Sequence, residues 1–151
     1  MKLDGSYIIE ASKEEVWAAM NDPEILEKAI PGCESLEKIS DTEFTAVVKA
    51  KIGPVKATFT GEVKLEDLNP PNSYRLVGEG KGGIAGFASG AADVTLTDHP
   101  EGTELTYEVD AQVGGKIAQI GSRLVGGAAK KLSDQFFSRF AAAINGEEEN
   151  P

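Results

Sequence analysis

No other stretch narrows the possible folds as much as residues 114–145, GGKIAQIGSRLVGGAAKKLSDQFFSRFAAAIN. Ile117, Ile120, Leu124, Val125, Ala128, Leu132, Phe136 and Phe140 recur at steps of three and four, which gathers them on one side of a helix with Lys116, Arg123, Lys130 and Asp134 on the other. The spacing predicts one long amphipathic helix. Steps of four outnumber steps of three, so the apolar stripe winds as it advances, and a twisted, wrapping sheet is the cover that can follow it. Gly121, Gly126 and Gly127 each cost about 1 kcal/mol against alanine inside a helix, and Gly121 falls on the apolar side, where it leaves space. The neighbours Phe136 and Phe137 point about 100° apart. Two packings satisfy this pattern: a helix lining a hollow, or a helix laid closely on a sheet with one phenylalanine partly exposed.

The rest of the chain supplies that sheet. Residues 6–9 read as a first strand, and Ser12 with Glu15 three residues later forms a capping box opening a helix through Met20. Asp22-Pro23 starts a second short helix that Pro31-Gly32 ends. From 33 to 113 the period is two. A hairpin turns at Ser40-Asp41-Thr42 and another at Gly53-Pro54. Val55, Ala57, Phe59, Gly61, Val63 and Leu65 then alternate with lysines, threonines and glutamates, which gives a strand with one dry and one wet face. Tyr74 to Val77 is followed by a glycine-rich connection, and a last hairpin turns around residues 98–102. The order is β-α-α-β6-α. Short hairpins throughout imply an antiparallel sheet with the final helix on its apolar face, an α+β fold.

One domain over residues 1–145 accounts for this length, leaving 146–151 as an acidic, disordered tail. The net charge of −10 argues against a nucleic-acid partner, since phosphate binding needs a basic surface. A single Cys33 and a single His99 exclude an internal disulfide and any metal site or triad that needs two of either residue. No signal sequence and no apolar run of about 20 residues is present, which implies a cytoplasmic setting.

Two motifs mislead. Gly78-Glu79-Gly80-Lys81-Gly82-Gly83 satisfies G-x-G-x-x-G, but that fingerprint needs a helix N-terminus at the third glycine, and loop and strand follow here. Gly115-Lys116 lacks the upstream glycine of a phosphate-binding loop. Asp93, Glu104, Glu108 and Asp110 share the outward strand parity, so no carboxylate pair is available inside for acid–base work. Lys49, Lys51, Lys56 and Lys64 also lie outward, as a basic patch or as ordinary solvating lysines.

The inward set holds Ala57, Gly61, Gly78, Gly80, Ala88, Gly90, Ala92 and Ala111 among larger apolar residues, with no charge. Such residues either let the helix sit close to the sheet or leave volume beneath it, and the number that coincide favours a dry cavity. The glycine-rich residues 81–89 are the expected entrance.

The chain resembles the CoxG family, the G subunits of carbon monoxide dehydrogenase, within the START-like (SRPBCC) superfamily. The resemblance rests on Val16-Trp17, Ile30-Pro31-Gly32-Cys33, Gly53-Pro54-Val55, the glycines from Gly80 to Gly90, and above all GGKIAQIGSR at 114–123 with Gln135-Phe136-Phe137. It implies a helix-grip fold, in which a seven-stranded antiparallel sheet wraps the C-terminal helix around a hydrophobic cavity. It also implies a non-enzymatic accessory of a molybdenum-containing dehydrogenase, with peripheral membrane contact, no cofactor or catalytic residue of its own, and an isoprenoid quinone or lipid as ligand. Phe59, Leu76, Gly80, Ile84, Phe87, Leu124, Ala128, Phe136 and Phe140 are the expected lining. Superfamily relatives that are polyketide cyclases and hydratases form the enzymatic alternative, which needs polar groups inside.

Overall fold

The structure is a computed structural model and describes residues 1–146; the predicted acidic tail lies outside the described residues apart from Gly146. The elements are β1 (Lys2–Ile9), α1 (Lys13–Met20), α2 (Pro23–Ala29), β2 (Cys33–Ser40), β3 (Glu43–Ile52), β4 (Val55–Asn69), β5 (Ser73–Lys81), β6 (Phe87–His99), β7 (Gly102–Gly114), α3 (Lys116–Gln119) and α4 (Ser122–Ile144). All seven strands form one antiparallel sheet in the order β1-β7-β6-β5-β4-β3-β2. The first two strands of the chain are therefore the two edges of the sheet. Only α1 and α2 join them, so this helix pair crosses the open side of the wrapped sheet and closes one end of the space beneath α4.

Local chemistry explains the corner. The Ser12 hydroxyl accepts from the Glu15 amide at 3.2 Å, and the Glu15 carboxylate accepts from the Ser12 amide at 3.5 Å, which satisfies amides that the first turn of α1 leaves without partners. Asp22 caps α2 by accepting from the Glu24 amide at 3.0 Å, with Pro23 at the first turn. Val16, Met20 and Ala29 turn inward onto Ile9, Leu96, Leu105 and Phe140, all buried, and this cluster is the core. The buried Thr103 donates from its hydroxyl to the Ala11 carbonyl at 2.7 Å and ties β7 to the corner after β1.

The C-terminal stretch departs from the expected single helix. It is broken at Ile120-Gly121, and Gly121 adopts φ +96° and ψ 149°, a conformation open to glycine and strained for other residues. Gly121 is thus the hinge between α3 and α4, not a gap in an apolar stripe. The strands also run further than their alternation suggested. β5 continues through Gly78 and Gly80 to Lys81, because Lys81 pairs with Phe87 and the ladder closes there.

Candidate functional site

Under the C-terminal half of α4 lies a cavity of about 260 Å³. Phe136, Phe137, Phe140 and Ser133 form its roof, and Leu65, Leu76, Ala92, Val94 and Leu105 form its floor. Met20, Leu26 and Ile30 close the end spanned by α1 and α2. Among the described lining residues none is charged. Both phenylalanines of the 136–137 pair are turned in: Phe136 stacks on Phe140 at 5.6 Å, and Phe137 meets it edge-on at 4.9 Å and stacks on Tyr7 at 4.3 Å. The apolar surroundings reach round the helix because β1 and β7 take one ring while the sheet floor takes the other. The volume lies just below the roughly 300–1,000 Å³ of sites that enclose drug-sized ligands. It has the volume of a ring-sized group or a short chain segment.

The structure brings three of the expected lining residues, Leu76, Phe136 and Phe140, to this cavity and distributes the others elsewhere. Leu124 is 54 % exposed. Counting back from Phe140 by four steps of four, each step carries the side chain about 40° past a full circle, so Leu124 ends about 160° round the helix. Ala128 on the same path is part-buried outside the lining. Ile84 is 87 % exposed because the single 3-10 turn Gly83–Ala85 buries Ala85 and turns its neighbour out. Phe87 is also exposed, with its ring across Gly114 at the end of the sheet. The ring of Phe59 lies over Gly82, and Gly80 faces inward beyond the cavity with nothing within 4 Å of a Cβ placed on it.

The expected entrance at 81–89 is a five-residue connection flanked by strand ends. Only 82–86 connect β5 to β6, the Gly82 amide donates to the Gly86 carbonyl at 2.8 Å, and Gly86 abuts Gly114 and Gly115. The sequence reading missed Tyr74, Tyr107 and Ser133. A signal existed for each: Tyr74 and Leu76 share strand parity, as do Tyr107 and Leu105, and Ser133 lies three and seven residues before Phe136 and Phe140.

A polar seam runs beside the cavity. Tyr7, Tyr107 and Phe137 form a near-parallel stack, with Tyr107 to Phe137 at 5.6 Å. The Tyr107 ring lies across Gly5, where a Cβ would come within 2.7 Å of its hydroxyl, so only glycine lets the ring pass over β1. The Tyr7 hydroxyl donates to Asp134 on α4, and Lys130 pairs with the same carboxylate at 3.4 Å. Burial, followed by the bond to Asp134, holds the Tyr7 hydroxyl well above the usual tyrosine pKa, while the same bond lowers Asp134. Tyr74 is also held high, by burial alone.

Charge is segregated along the molecule. Residues 44–61, 80–92 and 111–133 carry eight lysines and arginines and no carboxylate, although acids outnumber bases 25 to 15 overall. The fold brings these segments to one end, where the Ile120 side chain touches Gly53 and the 82–86 turn packs on Gly114-Gly115. Lys51, Lys56, Lys81, Lys116 and Arg123 lie there with exposed Ile84, Phe87 and Leu124. Glu79, 3.8 Å from Lys81, Glu34, 3.7 Å from Lys49, and Asp134, 3.4 Å from Lys130, are the acids paired with lysines of these segments.

Known structures share this architecture. A conserved protein from Geobacillus kaustophilus is 38 % identical over 96 % of this chain and 95 % of its own, with a TM-score of 0.89. Ara h 8.0201 is 14 % identical, covering 97 % and 99 %, with a TM-score of 0.70. The protein TTHA0849 from Thermus thermophilus is 18 % identical, covering 95 % and 99 %, with a TM-score of 0.62. The last two are similar in fold alone, the helix-grip arrangement. No curated protein matches the sequence. The family model of CoxG, the G subunit of carbon monoxide dehydrogenase, matches residues 5–145, and with nearly the whole chain so covered, the chain belongs to that family.

Proposed function

We propose that the protein is a non-enzymatic carrier that holds an apolar molecule, an isoprenoid quinone or a lipid, under α4 and serves as an accessory of a molybdenum-containing dehydrogenase. The observation that carries this is the uncharged cavity: no described lining side chain is an acid or base able to exchange a proton near neutral pH. The family's description as a dehydrogenase subunit supports the partner. The single histidine is outside the cavity lining: His99 ends β6, with its Nδ1 accepting from the Glu101 amide.

The basic, apolar end supports peripheral contact with an anionic bilayer. Cations there are each worth about 1 kcal/mol near such a surface, and Ile84, Phe87 and Leu124 are placed to enter it. Among the described residues no helix is long and apolar enough to cross a membrane. Between this end and the cavity, a Cβ placed on Gly80 meets nothing within 4 Å and one on Gly61 meets only strand carbonyls, which supports room for a chain running along the inner face.

Reconstitution tests the reading. Quinone reduction by the dehydrogenase should rise when this protein is added with vesicles containing phosphatidylglycerol, and Lys51→Glu with Lys116→Glu should lower both vesicle binding and that rise. Catalytic conversion of a polyketide or aromatic substrate by the isolated protein would replace the carrier reading with an enzymatic one.

A further inference from the structure

Tyr74 is a buried phenol with no protein partner. It is 8 % exposed, its ring stands edge-on to Trp17 at 5.5 Å, and among the described residues its Oη makes no hydrogen bond. No fully enclosed side-chain oxygen or nitrogen lacks a partner among the described residues, so the Tyr74 Oη, which has none, borders open space. The space that Tyr74 lines is the cavity. Buried tyrosine hydroxyls normally find a partner, because leaving one unmade forfeits the hydration the group had in the unfolded chain. Ser133, facing the same cavity from α4, likewise makes no hydrogen bond to a described residue.

We infer that Tyr74 donates a hydrogen bond to an oxygen at the head of the bound molecule, which makes the ligand a neutral carbonyl compound, a ketone, ester or quinone on an apolar body. This rests on the carrier reading and narrows it. A pure hydrocarbon would leave the phenol unsatisfied, and an ionised fatty acid would bury its charge where no described lining residue offers a cation. Burial also keeps the phenol protonated, and so a donor, throughout the physiological range. The geometry sets the direction of entry as well. Tyr74 is near the start of β5 and Lys81 at its end, seven residues and about 23 Å away. Gly80 lies on the inner face between them, with nothing within 4 Å of a Cβ placed on it. The carbonyl head therefore lies deep, and the tail leads toward the basic end.

Two probes of matched size test this: a benzoquinone bearing a decyl chain, and decylbenzene. Binding is measured by calorimetry, with Trp17 fluorescence as a second readout. Tyr74→Phe keeps the ring and the edge contact, so the fold should persist. It should weaken quinone binding about tenfold and leave decylbenzene binding unchanged. In the wild type the infrared carbonyl band of the bound quinone should shift to lower frequency, and in Tyr74→Phe that shift should vanish. Equal quinone affinity in both proteins, or a band that does not move, overturns the inference while the carrier reading stands. If the wild type binds neither probe, the carrier reading itself fails and takes the inference with it.

Discussion

Ala92→Leu measures whether the space under α4 is open. Ala92 pairs with Leu76 on β5 and Val109 on β7, and all three line the cavity floor. Leucine adds three carbons. If they enter open space, each gains about 0.8 kcal/mol of burial, roughly 2.4 kcal/mol in all. Ordering the leucine side chain takes back about 0.5–1 kcal/mol, which leaves about 1.5 kcal/mol of stabilisation. A closely packed floor would give the opposite sign, because overpacking costs about 1–3 kcal/mol. The two cases differ by several kcal/mol, well outside the error of urea denaturation. A gain of about 1.5 kcal/mol should raise Tm by roughly 3–6 °C in a domain of this size. The same variant should weaken binding of an apolar fluorescent dye several-fold, since the leucine occupies the dye's volume. A loss of about 1–3 kcal/mol with unchanged dye affinity would refute the argument, for it would mean the floor was already filled and the dye bound elsewhere.

Two further outcomes follow from the hinge and the titrating groups. Gly121→Ala should lose about 1–3 kcal/mol in chemical denaturation from backbone strain at φ +96°; because nothing lies within 4 Å of the added Cβ, an unchanged stability would mean that the chain re-forms the α3–α4 junction at no cost. Stability should fall as pH rises above about 10, the ordinary tyrosine value, because Tyr7 and Tyr74 hold their protons in the fold and release them on unfolding. It should also fall as pH drops below the ordinary aspartate value of 3.8, because Asp134 takes up a proton more readily once its bond to Tyr7 is gone. Denaturation midpoints across this range check both limbs, and Tyr7→Phe should flatten each of them.

Local signals along the chain were enough to define the elements and their faces. Period two in Val55–Leu65, the Ser12–Glu15 capping box, Asp22-Pro23 and the winding stripe of the last helix each depend only on backbone geometry within a few residues. From them came the order of elements, the antiparallel sheet and the presence of an apolar underside. Which side chains meet across that underside depended on how the whole chain packs. Helix phase accumulates about 40° of drift for every step of four, so Leu124 and Phe140 look alike in the sequence and end on opposite sides of α4. The break at Gly121 depends on a backbone conformation that composition does not reveal, since a glycine is compatible with a helix interior and with a hinge alike. Tyr7 and Asp134 lie 127 residues apart and meet only because β1 pairs with β7 at the edge beside α4. Three stretches free of carboxylates become one basic end only when the β3–β4 turn, the β5–β6 turn and the α3–α4 hinge converge. The same holds for the Tyr74 hydroxyl: strand parity turns it inward, but whether it finds a partner depends on what every other element places opposite it, and that is settled only when the sheet closes around the helix.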